Sequence, residues 1–577
     1  MSFKWSNIFP IIDALKGYGK EEFKGDISAG LTVGVMLIPQ GMAYAMLAGL
    51  PPIHGMYAAT IPLIIYAFFG SSRQLAVGPV AMISLLTTAG VAAIAHPGTD
   101  QYIQVAVLLA LVVGGIQFLM GTMRLGFLAN FLSHPIISGF TSAAALIIGL
   151  SQLKHILGIS VPRTHHIQEL VEKIIQNAPS ANLYSMAIGI AGIIIILLSK
   201  KIHRAIPAQL LAVIFGIVVV QLFDLTDMGV KIVGDIPAGL PSFHAPIIDW
   251  GQAKDLLLFG VTISIIGFME SYAVARAIQT KHRNYEVDAN RELIALGLAN
   301  IGAGFSQAYP VAGGFGRSAV NDKSGAQTQL ASIISASLLI LILLFFTPYF
   351  YYLPKAILGA IIVVAVLGLI DWREVLFLWR ANKTDLSLFV ITFLGTLLLG
   401  IEQGIAVGVI LSLIMVILRV TRPHVAELGK VPGTIHYRNV ERFPELIQQD
   451  DTLIVRFDAQ LFFANVQFFK EKLFELADKK GDKLKRIIIN AESINQIDST
   501  GIHAIKEIIN AFNKRGIAIV FAGVKGPVRD ALKRGGVIDS IGEDKFYMCI
   551  EDAVNCLCRS PEPKESSMKD FTTQSNA

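Results

Sequence analysis

Two stretches of this sequence combine residue types suited to holding a negative charge away from water. One runs Arg73-Gln74-Leu75-Ala76-Val77-Gly78-Pro79-Val80-Ala81. The other runs from Tyr309 and Pro310 through Gly313, Gly314 and Gly316 to Arg317, Ser318 and Ala319. Each reads as extended, Gly-rich backbone feeding a short apolar helix. A helix that starts at such a break leaves its first backbone N–H groups unpaired and carries roughly half a positive elementary charge at that end. Two such origins aimed at one point inside a bilayer attract an anion, and low dielectric magnifies the attraction. Arg317 adds a full charge at the start of the second short helix. A charged residue at bilayer depth is costly unless paired or hydrated, which marks it as functional. The competing readings are ordinary loops outside the membrane and an interfacial arginine snorkelling to water.

Glu270, in Ile265-Ile266-Gly267-Phe268-Met269-Glu270-Ser271-Tyr272, is the second charge within an apolar run. A buried carboxylate is pulled both ways, by desolvation and by any nearby cation. Glu270 therefore reads as a proton carrier or as a partner for Arg317. The bland alternative is a carboxylate near a helix end, since Arg276 follows six residues on. Gln40 and Tyr44, four apart beside Pro39 and Gly41, share one helix face and offer an amide and a hydroxyl. By themselves such residues are equally suited to joining two helices.

These residues need a scaffold, and the composition says which kind. Of 577 residues, 53% are hydrophobic and 16% charged, against about 25% charged in soluble domains. The mean hydropathy is +0.59. A net charge of +5 with mixed signs gives no case for nucleic acid. A bilayer core needs roughly 20 apolar residues per helix. Clear spans are predicted over 103–122, 128–150, 183–199, 205–223, 256–278, 328–347, 355–370, 384–400 and 404–420. Gly-interrupted spans are predicted over 27–48, 53–70, 79–95, 289–304 and 317–327, which makes about 14 segments, some too short to cross alone. Gly30/Gly34 and Gly404/Gly408 are small-residue pairs that permit close helix approach.

With the N-terminus inside, every second connection is basic, holding Arg73, Arg124, Lys200, Lys201, Arg204, Lys281, Arg283, Arg291, Lys323, Arg373, Arg380 and Lys383. The other connections carry Asp224, Asp227, Asp235 and Glu402, together with Lys154, Arg163, Lys173 and Lys231. This asymmetry predicts cytoplasmic termini on a multi-pass protein, and the expected location is the plasma membrane. No signal peptide is expected. Residues 8–24 read either as an amphipathic surface helix or as a plain polar leader. Irregular backbone survives at membrane depth only inside protein or beside water. One such break in each half of about seven spans is the pattern of an inverted-repeat transporter with its site between the repeats.

Four stretches carry a specific resemblance: residues 37–57 (LIPQGMAYAMLAGLPPIHGMY), residues 72–84 (SRQLAVGPVAMIS), Glu270-Ser271 followed by residues 287–293 (VDANREL), and residues 314–321 (GFGRSAVN). They resemble the signatures of sulfate permease (SulP) transporters, whose animal relatives include prestin, and the likeness runs from about residue 20 to 555. It implies a helical polytopic membrane protein of 14 segments in two inverted seven-segment repeats, divided into core and gate domains. It also implies a homodimer and elevator-like alternating access. The family's anion site lies between the third and tenth helices, which here start near Val80 and Arg317. Gly78, Val80, Ala81, Gly316, Arg317 and Ser318 are thus expected to bind the anion, joined by Gln40 and Tyr44 at the family's first-helix positions. Glu270 matches the carboxylate linked to proton coupling in some members. Where many relatives have Ser before the arginine this chain has Gly316, one hydroxyl fewer for a sulfate-like ligand. Some sodium-coupled relatives have Asp at the position of Glu270, so a proton is the expected coupling ion.

Residues 450–557 alternate strands, at Thr452–Phe457, Arg486–Asn490 and 517–522, with helices near 466–479, 500–513 and 526–535. That pattern predicts an α/β sandwich. It resembles the STAS domain found on these transporters and on bacterial anti-sigma-factor antagonists. Ser499 aligns with the phosphorylated serine of the antagonists, and it reads here either as a regulatory site or, like Asp498, as a helix cap. Cys549, Cys556 and Cys558 fit neither a zinc site nor a disulfide scaffold, and the tail over 558–577 is expected to be disordered.

The expected organisation is a cytoplasmic segment over 1–26, a transport domain over 27–420, a linker over 421–449, the STAS domain and the tail. The expected activity is secondary active transport of a small inorganic or organic anion such as sulfate or bicarbonate, by proton symport or anion exchange, with no cofactor or metal. A passive anion channel of the same fold, a nucleobase permease and a membrane-tethered signalling protein are the other readings. No catalytic triad, metal cluster or phosphate loop argues for an enzyme.

Overall fold

The structure is a computed structural model that describes residues 9–130, 134–161, 167–202, 207–243, 249–282 and 285–555. Lys4, Arg163, Arg204, Arg283, Cys556, Cys558 and the tail lie outside the described residues. The chain divides into two compact units, 1–412 and 413–577.

The first unit and the helix that leaves it form two successive runs of seven segments. The first run comprises Lys20–Leu47, the helix pair within Pro52–Phe69, the strand Val77–Gly78 with the half-helix Ala81–Ala92, Asp100–Thr122, His134–Ile156, Leu183–Ile202 and Ala208–Leu222. The second comprises Leu257–His282, Ala289–Phe305, the strand Ala312–Gly313 with the half-helix Phe315–Lys323, Leu330–Phe345, Lys355–Leu367, Lys383–Leu399 and Ile401–Thr421. The third segment of each run is the broken one. Among the described residues, six helical stretches are long and apolar enough to cross a membrane unaided.

The packing exchanges the two runs as an internal two-fold demands. Segment 1 packs on segment 11 and its counterpart 8 packs on 4, while 2 packs on 11 as 9 packs on 4. Segment 5 packs on 13 as 12 packs on 6, and segments 3 and 10 pair with each other. Gly30 and Gly34 face segment 11, where an added Cβ at Gly30 would sit 2.7 Å from the Ala331 carbonyl oxygen. Ser335 Oγ uses that proximity to donate to the Gly30 carbonyl at 2.7 Å.

The N-terminal boundary differs from the sequence expectation. Instead of one surface helix over 8–24, a short helix Pro10–Ala14 is followed by a turn through Gly17, and the opening helix already begins at Lys20. Its first turns are charged and read as a leader, yet Asp26 within them is buried. Asp26 accepts from the backbone N–H groups of Gln327 and Thr328 at 2.7 and 3.0 Å, and from the hydroxyls of Thr328 and Tyr18.

The second unit is built on a six-stranded sheet in the order Tyr437–Asn439, Val425–Lys430, Thr452–Phe457, Arg486–Asn490, Ala518–Ala522, Phe546–Tyr547. The last four strands run parallel, and the first two are antiparallel additions. Alternate side chains reach opposite faces. Leu453, Val455, Ile487, Ile489 and Ile519 pack under helices Val466–Lys480, Ser499–Lys514 and Gly526–Arg534, while Ile454, Ile488 and Val520 pack on Ile550–Asn555. Residues 421–449 are therefore not a linker, since they supply two strands of the sheet. Neither strand is long, and Val425–Lys430 takes its register from two strands that follow it in the chain, pairing Val425–Glu427 with Val455–Phe457 and Leu428–Lys430 with Tyr437–Asn439. Asp498, not Ser499, caps its helix by accepting from the Gly501 N–H at 2.7 Å. Ser499 is exposed in the first turn.

Candidate functional site

The two breaks meet. Val77 pairs with Gly313 and Gly78 with Ala312 in an antiparallel ladder buried on all four residues. Proline after Gly78 removes a backbone donor and holds its neighbour extended, which ends the ladder and starts a helix. The half-helices begin beyond the ladder at N-cap residues Val80 and Gly314, neither with a side-chain cap. These origins touch, for a Cβ added at Gly314 would lie 3.2 Å from Val80 Cγ1. Among the described residues no acceptor pairs the N–H groups of Ala81, Met82 and Ile83, or of Phe315, Gly316 and Arg317. Two positive helix ends thus share one place.

Arg317 lies at that place with 3% of its surface exposed. Its Nη1 donates to the Pro79 carbonyl at 2.6 Å, while Nε and Nη2 are buried without a hydrogen-bond partner among the described residues. The missing Cβ of Gly314 makes the room, since one there would stand 3.0 Å from Arg317 Cζ and Nη2. Tyr44, Glu270 and Tyr309 are the titratable groups nearest to Arg317.

The sequence-predicted residues fare differently. Gln40 and Tyr44 are both nearly buried on the opening helix, which runs on through Pro39, and neither side chain has a hydrogen bond among the described residues. Glu270 is half-buried and forms no ion pair with Arg317, so the direct partnership weighed from sequence is absent here. Its neighbour Ser271 is the anchor: Oγ accepts from the Gly313 N–H at 2.7 Å and donates to the Gly267 carbonyl at 2.5 Å. Ser318 is also an anchor rather than an open hydroxyl. Its Oγ accepts from the Ala76 N–H at 2.9 Å and donates to the Gly314 carbonyl at 2.8 Å. Gly316 is exposed, with nothing within 4 Å of an added Cβ.

Three further residues were missed. Tyr309 is fully buried and its hydroxyl lies 3.2 Å from that of Ser84 on the first half-helix. Asn300 grips the second strand like a paired backbone, its Oδ1 accepting from the Val311 N–H at 2.7 Å and its Nδ2 donating to the Val311 carbonyl at 3.1 Å. Glu292, fully buried, accepts from the Ser71 N–H, the Ser71 hydroxyl, the Ser72 N–H and the Tyr66 hydroxyl at 2.7 to 3.1 Å. It fastens the approach to the first strand, and its signal in the sequence was an acid at the start of the Gly-interrupted apolar run over 289–304.

Comparison with known proteins agrees with this architecture. The sulfate permease family model matches residues 23–392 and the STAS domain model matches 443–553. "Sulfate transporter 4.1, chloroplastic" of Arabidopsis thaliana is 40% identical over 569 residues, covering 95% of this chain and 82% of that one. A probable sulfate transporter of Mycobacterium tuberculosis is 34% identical over 550 residues, covering 95% and 98%. The inward-facing structure of the murine solute carrier 26 family member A9 anion transporter superposes with a TM-score of 0.88. It is 27% identical, with 96% of this chain and 95% of that one covered. By its repeats, its paired breaks and these matches, the chain belongs to the sulfate permease family and ends in a STAS domain.

Proposed function

We propose that this protein is a secondary active transporter of a small oxyanion, sulfate foremost, that loads a proton with its substrate. One observation carries the reading: two uncapped helix origins touch at Val80 and Gly314 around the buried Arg317. Two helix ends at about half a charge each and one guanidinium give a focus of about two positive charges. With Glu270 ionised, a monovalent anion balances the site. A dianion balances it only when Glu270 is protonated, so a proton accompanies a dianion such as sulfate. The unpartnered Nε and Nη2 of Arg317 form the edge that grips two oxygens at once. Arg456 uses that edge in this same chain, with Nε and Nη2 on the two oxygens of Asp458 at 2.6 and 2.9 Å. A halide offers one atom to be shared between the two donors, where an oxyanion offers each donor its own oxygen.

Gln40 and Tyr44 complete the polar lining on this reading, and the relatives named as sulfate transporters support the substrate class. We further assign elevator-type alternating access in a homodimer, with both termini cytoplasmic and the protein in the plasma membrane. The topology rests on the alternation of basic connections, and the motion on the core and gate division that the resemblance to the sulfate permease family implies.

Uptake of labelled sulfate into proteoliposomes at two external pH values, with chloride, nitrate, bicarbonate and a dicarboxylate as competitors, tests the reading. Saturable uptake that is faster at acid pH and best inhibited by oxyanions is expected. Uptake unaffected by Arg317→Ala, or inhibited best by chloride, defeats it.

A further inference from the structure

An open groove of about 420 Å³ lies away from the anion site, between the end of helix Asp100–Thr122 and the start of helix Ala289–Phe305. It is lined by Gly121, Thr122, Arg124, Asp288, Asn290, Arg291 and Ile294. Most of its polar groups are engaged. The Thr122 hydroxyl donates to the Leu119 carbonyl, Asn290 Oδ1 accepts from the Gly126 N–H, and Asp288 Oδ1 caps the helix by accepting from the Arg291 N–H at 2.8 Å. The two guanidiniums are not: among the described residues Arg124 and Arg291 have no hydrogen-bond, ion-pair or ring partner. The groove therefore offers two unspent cations against one carboxylate already committed to a backbone N–H.

A second observation identifies the kind of ligand. Leu119, Met123 and Phe127, close in sequence to the lining residues Gly121, Thr122 and Arg124, are 58%, 68% and 52% exposed. Leu119 lies near the end of a helix apolar enough to cross a membrane, and Met123 and Phe127 continue the exposed apolar surface into the basic connection that follows it, where the bilayer edge would lie. A pair of arginines just where an apolar helix face ends is the arrangement that holds an anionic headgroup, and basic pockets between membrane helices bind such groups. We propose that this groove binds an anionic phospholipid, its phosphate between Arg124 and Arg291 and its chains along Leu119, Met123 and Phe127. The site joins segment 4 to segment 9, whose Glu292 holds the approach to the first strand. A bound lipid thereby braces the scaffold of the anion site without touching the anion.

The test uses the full chain in phosphatidylcholine nanodiscs doped with increasing phosphatidylglycerol, with the thermal unfolding midpoint as readout. The wild type is expected to gain a saturable rise in midpoint. The double variant Arg124→Gln/Arg291→Gln is expected to match it in pure phosphatidylcholine while needing about 20-fold more phosphatidylglycerol. A double variant that follows the wild-type curve overturns the site. An equal rise produced by inorganic phosphate in pure phosphatidylcholine also overturns it, by showing a soluble phosphate in place of a lipid. Where the glutamine pair lowers the midpoint in pure phosphatidylcholine, Arg124→Lys/Arg291→Lys is read instead. Retention of the lipid response in that pair supports the proposal, and its loss refutes it.

Discussion

Arg317 Nη1 donates to the Pro79 carbonyl at 2.6 Å, so the guanidinium at one half-helix is fastened to the residue just before the N-cap of the other. The bond fixes the plane of the guanidinium and with it the direction of Nε and Nη2. Lysine keeps the charge but neither the anchor nor the two-toothed edge. Arg317→Lys should therefore raise the KM for sulfate about 10- to 100-fold, the worth of one or two hydrogen bonds to a charged group. Initial-rate uptake against sulfate concentration measures this, and an unchanged KM removes the edge from the mechanism.

Glu270 balances the same site. If it carries the coupled proton, wild-type uptake falls as external pH rises, because the ionised carboxylate opposes entry of a dianion. Glu270→Gln imitates the protonated form permanently. It should bind sulfate at alkaline pH but give a flat pH profile and no accumulation driven by a proton gradient. A variant whose pH profile matches the wild type rules out coupling through this residue.

The breaks, the lone Arg317 and Glu270 were legible in the sequence because Gly-Pro, Gly-Gly and single charges stand out against apolar runs. What each hydroxyl does was not legible. The partner of Ser318 is the Ala76 N–H, 242 positions away, and Glu292 serves Ser71, 221 positions away. Periodicity says nothing about such pairs. It also missed Val425–Lys430 and Tyr437–Asn439, where tertiary pairing decides the state of short segments. At Asp26 the charge that suggested solvent is in fact spent on the backbone of Gln327 and Thr328.

Gly316 gives a cleaner probe of the ligand than any residue that holds the fold. A Cβ there meets nothing within 4 Å, so Gly316→Ser should shift stability by no more than about 0.5 kcal/mol. If the added hydroxyl reaches the anion, one hydrogen bond should lower the sulfate KM about fivefold. Thermal unfolding and uptake are measured on the same preparation. A stable variant with wild-type KM and wild-type competition by other oxyanions means that this face of the half-helix does not meet the substrate.

Glu292 has the opposite character. Its Oε1 accepts from two backbone N–H groups and a hydroxyl, and Oε2 accepts from Tyr66. Glutamine turns one acceptor into a donor facing donors. Glu292→Gln should destabilise the protein by about 3 kcal/mol, the range for a buried polar network robbed of its charge. Activity should fall through loss of folded protein, leaving the KM of the survivors unchanged. A large KM change at normal stability would instead assign Glu292 to the substrate path.

In the STAS domain, Glu551 ties the last helix to the antiparallel strands. Lys430 Nζ at 2.5 Å and the Tyr437 hydroxyl at 2.8 Å hold its carboxyl below the usual carboxylate range, and partial burial does not offset them. Because the folded value lies below the unfolded one of about 4.3, the ionised carboxylate stabilises the fold fully above roughly pH 5. That contribution drains away as pH falls through the folded value. Hydrogen exchange of Ala553 to Asn555, corrected for intrinsic rates, should show the helix loosening on acidification in the wild type. Glu551→Gln should start looser near neutrality and respond less to acid. Parallel curves for the two proteins would mean that this helix is held by Ile550, Ala553 and Val554 in the apolar layer alone.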